Sequence, residues 1–262
     1  VEDKTWKTSI TRVEPNSLKL RGYPINELMG RVGFAQSIYL AILGELPNRN
    51  EAMMLDAILV SSIDHGVTPP SCIAARTVAS SGAPLSAAVA AGVLAISRYH
   101  GGAIEDCMKF LKMAVERKSQ TNKTPDECAA IIIKEYRLEK KRMPGYGHRF
   151  HTQDPRSSKL FAIAHDLGIA DAHVEMAKAM EKEIGVNLGK KLPINVDGAI
   201  AALLCDMKVP DLLANAFFIM ARIPGLVAHV YEEQTAMRPM RHINAKDHEY
   251  DGWPERHLTE SE

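Results

Sequence analysis

An all-α fold is what this sequence predicts, on three observations. Apolar residues recur at three- and four-residue intervals almost continuously from Ile25 onwards. No strand-like alternation of Val, Ile or Thr is sustained for about six residues. Aromatic residues make up only 6% of the chain, while Ala, Leu, Ile and Met are plentiful, a bias towards packed helices.

Taken in order, residues 8–20 are compatible with short hairpin strands, and residues 27–43 read as the first amphipathic helix, stopped at Gly44 and followed by Pro47. Residues 51–63 repeat the pattern with Met54, Leu55, Ile58 and Leu59 on one face. Pro69-Pro70 and Pro84 each open a helix, at a first turn where the missing N–H is not needed. The run 85–96 is the most apolar of the chain and reads as a fully buried core helix. It is little more than half the roughly 20 residues that span a bilayer. Residues 101–118 are amphipathic, and Thr124-Pro125-Asp126-Glu127 is a helix start signal. Helices over 157–168, 172–185, 196–207 and 211–223 follow, the last with Leu213, Phe217 and Met220 on one stripe. Pro224-Gly225 is expected to interrupt it before a final helical stretch over 226–233. Helical periodicity breaks at 143–156 and 190–198, and the tail from Met237 is irregular. Irregular segments in a compact helical protein usually carry function.

Composition excludes several classes. With 32 Lys+Arg against 32 Asp+Glu in 262 residues, no basic excess supports nucleic-acid binding, and 46% apolar residues exclude disorder. Cys72, Cys107, Cys128 and Cys205 form no C-x-x-C and no pairing rhythm, which suits four free thiols in a reducing cytosol. The opening residues are polar and resemble no signal segment, so a soluble cytoplasmic protein with no membrane partner is expected. Ten histidines include no H-x-x-x-H or H-E-x-x-H spacing, so no metal is expected. Neither a P-loop nor a G-x-S-x-G elbow occurs.

Several constellations carry chemistry. Pro144-Gly145-Tyr146-Gly147-His148-Arg149 is a tight loop whose backbone can approach a ligand while His148 moves a proton. A plain turn with a capping histidine explains it equally well. Asp154-Pro155-Arg156 brings a guanidinium nearby, for a carboxylate ligand or for an ion pair at a helix start. His100, before Gly101-Gly102, is either a satisfied core histidine or a neutral donor to an oxyanion. Asp197, in Asn195-Val196-Asp197-Gly198, is either a helix cap or a general base. His65, in Ile63-Asp64-His65-Gly66, alone reads as a C-terminal cap. Arg222 ends an apolar helix, where a buried charge needs an anionic partner; Arg238, beside Pro239, alone reads as a solvated charge.

Together, in chain order, the pieces resemble the citrate synthase superfamily. Leu20-Arg21-Gly22-Tyr23-Pro24-Ile25, Gly44-Glu45-Leu46-Pro47, His65, His100-Gly101-Gly102-Ala103, 144–149, Asp154-Pro155-Arg156, Asn195-Val196-Asp197, Arg222 and Arg238-Pro239 carry the likeness, over residues 18–241. The resemblance implies a citrate-synthase-like fold with a large helical domain, 1–100 and 199–262, and an inserted small CoA-binding, catalytic domain, 101–198. It implies that His100, His148 and Asp197 are catalytic, and that His65, Arg156, Arg222 and Arg238 bind substrate carboxylates, Arg238 across a dimer interface. Pro144, Gly145, Tyr146, Gly147, Arg149, Lys190 and Lys191 would serve CoA.

Within the superfamily the sequence looks most like stand-alone citryl-CoA lyase and the C-terminal lyase module of ATP-citrate lyase. It is shorter than a full-length citrate synthase. Gly198 follows Asp197 where those enzymes usually have an aromatic, and Met240-Arg241-His242 follows Arg238-Pro239. The implied reaction is cleavage of citryl-CoA to acetyl-CoA and oxaloacetate by a homo-oligomer, a dimer at least. No cofactor would be held permanently, the CoA thioester being substrate, and a separate citryl-CoA synthetase would act upstream. A short citrate synthase or 2-methylcitrate synthase is the alternative.

Overall fold

The structure, a computed structural model, describes residues 6–147, 154–189 and 192–257. It is helical apart from a three-stranded antiparallel sheet at the start: β1 (Thr11–Glu14), β2 (Ser17–Leu20) and β3 (Tyr23–Pro24). Pro15-Asn16 closes the hairpin, with Asn16 at φ 61°, a left-handed position that asparagine tolerates. The helices are α1 (Ile25–Leu28), α2 (Phe34–Leu43), α3 (Arg49–Ser61), α4 (Pro70–Ser80), α5 (Leu85–Leu94), α6 (Ala103–Gln120), α7 (Pro125–Leu138), α8 (Pro155–Asp166), α9 (Ala172–Leu188), α10 (Val196–Asp206) and α11 (Ala214–Ala236).

Local rules account for most boundaries. Asn48 and Thr124 cap α3 and α7 in reciprocal boxes with Glu51 and Glu127. Gly44 ends α2 in the left-handed region at φ 95°. The sheet helps: Arg21 reaches from β2's end to donate from Nε and Nη2 to the Ala41 carbonyl, at 3.2 and 3.0 Å, covering an open end of α2.

Three expectations are corrected. Residues 27–43 are not one helix: Gly30 adopts φ 77°, and the chain breaks between α1 and α2. Pro224 does not interrupt α11, which runs through it to Ala236. Buried residues on both sides (Ala221 and Arg222 before, Gly225 and Leu226 after) hold the helix while Met220 forgoes one bond. Gly225 lets α11 pass close to the end of α3, since a Cβ there would strike the Ile63 carbonyl. The third correction concerns α5: only Ala88 and Gly92 are buried, and Leu94 is 82% exposed.

The main core gathers side chains from α3, α6, α7, α8, α9, α10 and α11, with α10 at its centre. A smaller cluster joins Ala75 and Ala79 of α4, Ala88 of α5, and Leu226 and Val230 of α11. Asp206, at the end of α10, accepts from the Asp171, His173 and Val174 amides and so caps α9 from outside it. Residues Asp211–Ala236 are long and apolar enough to cross a membrane by composition. They also contain Arg222 and Glu233, both buried against partners inside the protein, which marks a core helix. All four cysteines are buried free thiols.

Candidate active site

A cavity of about 440 Å³ opens where α4, α10, α11 and the bend before α6 meet. Among its lining residues are His65, Tyr99, His100, Gly147, Arg156, Asn195, Asp197, Phe218 and Arg222. Side chains spread over more than 150 positions of sequence thus share one wall.

Asp197 stands in the first turn of α10, but it does not cap that helix. Asn195 does, accepting from the Gly198 amide at 3.0 Å, so the carboxylate is left free to face the cavity. Burial pushes Asp197 up to about 6, against the pull of Arg156 and Arg222. A carboxyl poised there accepts or returns a proton near neutrality.

His100 is fixed from two sides. Its Nε2 lies 2.7 Å from Ser71 Oγ, a fully buried hydroxyl of α4. Its ring meets Phe218 edge-on at 5.7 Å between centroids. Burial lowers its pKa, and the nearby Arg222 and His65 lower it further, so the imidazole is neutral at pH 7. A neutral imidazole can donate to a developing oxyanion without itself carrying charge.

The arginines differ. Arg222 is 4% exposed; its Nε donates to the Ser62 carbonyl at 2.9 Å, and its guanidinium lies 4.9 Å from the Phe218 centroid. Among the described residues no carboxylate forms an ion pair with it. Arg156 does have one, gripping Asp154 through Nε and Nη2 at 3.0 and 2.9 Å, so both meanings read from its motif hold at once: ion pair and cavity wall. Asp154, 1% exposed, also accepts from the Val196 amide at 3.1 Å. One carboxylate therefore ties the start of α8 to the start of α10. Burial pushes its pKa up, but Arg156 and the two amides overcome this and hold it below the usual range.

The loop over 144–147 lies against α10. Gly145 O accepts from the Asn195 amide at 3.1 Å, the Gly147 amide donates to Pro193 O at 2.8 Å, and Gly147 O accepts from Asn195 Nδ2 at 3.0 Å. Tyr146 is tucked inward, its hydroxyl donating to Ala177 O at 3.2 Å. Gly145 and Gly198 are both required by this contact: a Cβ on Gly198 would strike the Gly145 carbonyl, and Gly145 adopts φ 82°. Of Pro144 to Gly147, only Gly147 borders the cavity. His148, Arg149, Lys190 and Lys191 lie outside the described residues. Arg238 is exposed and lies away from this cavity.

The arrangement can hold a small polyanion between Arg156, Arg222 and His65 while an acid and a neutral imidazole face it. The family described as citrate synthase, C-terminal domain, matches residues 47–242. The chain belongs to the citrate synthase family. The structure of citryl-CoA lyase from Hydrogenobacter thermophilus is 46% identical with a TM-score of 0.90, over 98% of this chain and 99% of that one. Citrate synthase from Haloferax volcanii is 32% identical over 78% of this chain and 53% of that protein. ATP-citrate synthase beta chain protein 1 of Oryza sativa subsp. japonica is 25% identical over 91% of this chain and 39% of that protein. The chain thus spans about half or less of the length of these two curated relatives.

Sequence reading missed Ser71 and Phe218 at this cavity and gave Tyr99, beside His100, no role of its own. Phe218 stands one helical turn before Arg222, a spacing that could have flagged it. Ser71 meets His100 only through tertiary packing, which no local pattern announces.

Proposed function

We propose that this protein is a citryl-CoA lyase, cleaving citryl-CoA to acetyl-CoA and oxaloacetate. The observation that carries the reading is the cavity in which Asp197, near pKa 6, and a neutral His100 stand among Arg156, Arg222 and His65. The likeness to the Hydrogenobacter lyase along nearly both whole chains supports it.

In the proposed mechanism the arginines and His65 hold the carboxylates. His148 takes the tertiary hydroxyl proton, the electron pair of that O–H bond forms the keto group of oxaloacetate, and the C–C bond breaks. Its electrons form the enolate of acetyl-CoA, whose oxygen His100 stabilises by hydrogen bonding. Protonated Asp197 then delivers its proton to the enolate carbon. Pro144–Gly147, with Arg149, Lys190 and Lys191, would receive the CoA moiety. The thioester is substrate, and no permanent cofactor or metal enters the scheme.

The same reading includes a large domain, 1–100 and 199–262, and a small one, 101–198. It also includes a cytoplasmic homo-oligomer in carbon metabolism, supplied with citryl-CoA by an ATP-dependent ligase acting on citrate. The exposed apolar face of α5 supports an oligomer, because such a surface is ordinarily covered. A second reading, citrate or 2-methylcitrate synthase, is favoured by the 32% identity to the Haloferax enzyme.

Two assays separate them. With citryl-CoA, oxaloacetate is followed through coupled NADH oxidation; with acetyl-CoA and oxaloacetate, free thiol is followed. Oxaloacetate without thiol supports the lyase. Strong thiol release gives the site to the synthase, and silence in both assays defeats either reading.

A further inference from the structure

Outside the cavity, two arginines converge on one buried carboxylate. Glu233, near the end of α11, is 3% exposed. Its Oε2 accepts from Arg76 Nε and from Arg241 Nη2, each at 2.6 Å, and its Oε1 accepts from Arg241 Nε at 2.9 Å. Arg76 belongs to α4 and is itself buried; Arg241 belongs to the segment after α11. Two main-chain bonds seat the same segment. The Met240 amide donates to Ser80 O at 2.8 Å, and the Arg241 amide to Ser80 Oγ at 3.1 Å. Met240 takes φ 58°, a conformation that a methionine adopts only when its surroundings hold it there. Between this anchor and the end of α11 lie only Met237, Arg238 and Pro239.

Glu233 and Arg76 are buried, whereas the Arg241 side chain is 44% exposed and closes the carboxylate from the solvent side, so solvent limits what its ion pair adds to stability. Its distinctive property is geometric: the forked donors of Arg241 allow one orientation, and with it one path for the chain. The Arg241 and Arg76 bonds hold Glu233 below the usual carboxylate range, so the anchor stays ionised through neutral pH.

We propose that Glu233 and Arg241 clamp the segment 237–241 and thereby set the position from which Arg238, which lies away from its own cavity, reaches a substrate carboxylate in the site of a second copy of the chain. Arg241 is then a positioning residue, and the proposal rests on the binding role assigned to Arg238 above. Removing Arg241 leaves Glu233 paired with Arg76, so Arg241→Ala keeps its fold.

The test combines hydrogen exchange with kinetics on the intact protein. In Arg241→Ala, exchange in a peptide covering 237–243 accelerates at least tenfold, KM for citryl-CoA rises about tenfold, and kcat stays within twofold. Arg238→Ala raises KM similarly, the double variant is no worse than either single one, and Arg241→Lys recovers part of the loss. Unchanged exchange in Arg241→Ala overturns the clamp. Faster exchange with unchanged KM, while Arg238→Ala raises KM, overturns the link between clamp and binding. A silent Arg238→Ala overturns the role of Arg238 itself, and the exchange result then still decides whether the clamp exists.

Discussion

Helices α5 and α10 draw on almost the same apolar residues, with Ala and Leu prominent in both. In α10 every residue except Asp197 and Asp206 is buried; in α5 only Ala88 and Gly92 are. The two exceptions in α10 have definite tasks, one facing the cavity and the other capping α9. The exposed residues of α5 have none inside this chain. Apolar content therefore reports that a helix will be covered, not what covers it. For α10 the cover is the protein's own core; for α5, whose inner face packs on α4 and α11, the cover of the exposed face is proposed to be another copy.

The sharpest probe of α10 is its charged end. Asp197→Asn is expected to lower kcat by about 10²–10⁴ with the fold intact, as loss of a general acid–base group does. Rates within a factor of three of the parent would move the proton-transfer role to another group. The next effect is one of stability. Ile200→Ala, at 1% exposure in the middle of α10, is expected to cost about 2–5 kcal/mol in denaturant unfolding. Leu94→Ala, on the open face of α5, costs almost nothing to a lone chain but weakens an assembly that covers it. Sedimentation velocity on Leu94→Glu reads this directly: loss of a larger species supports the cover, and an unchanged monomer defeats it.

A smaller effect follows from the buried carboxyl. Asp197 holds its proton up to about pH 6 in the folded state, above the ordinary value of 3.8, so the folded state binds more protons between those limits. Stability then falls as pH rises from about 4 to about 6 and is level above that. Asp197→Asn removes the penalty. It should stabilise the protein at pH 7 by up to about 3 kcal/mol, a ceiling because Asp197 borders an open cavity, with the gain vanishing below about pH 4. A gain that persists at pH 4 would point to packing instead of charge.

Much of this was readable beforehand, and the failures have a pattern. The start signal at Thr124, the prolines opening α4 and α7, and those motif residues that line the cavity (His65, His100, Arg156, Asp197 and Arg222) all act through near neighbours or a retained motif. The break at Gly30 and the passage of α11 through Pro224 were decided by packing, which a period count does not see. The burial of α5 was misread for the same reason, since the partner of an apolar face is not written in the helix. Asp197 was legible as chemistry, but its release from capping depended on Asn195 doing that work. Ser71 and Phe218 were invisible, because they act on His100 across 29 and 118 positions of sequence.

Ser71 supplies the finest test. The wall of α4 and α11 meets the α10 end at His100, whose ring, in the proposed mechanism, presents one nitrogen to the enolate oxygen. The proposed mechanism needs the Ser71 hydroxyl to donate across the 2.7 Å contact to Nε2, which would place the ring proton on Nδ1 and make that nitrogen the donor. Phe218 holds the plane of the ring but says nothing about its tautomer. Ser71→Ala should therefore lower kcat about tenfold while KM stays within twofold, since the ring keeps its place and loses its preferred tautomer. Ser71→Thr, which retains a hydroxyl, should recover most of the rate. Nitrogen NMR of His100 in the two variants checks the cause: a mixed tautomer is expected in the alanine variant and a single one in the threonine variant. A slow alanine variant with an unmixed tautomer would mean that the hydroxyl acts through packing of α4, and the wall would then be as purely structural as the interior of α10.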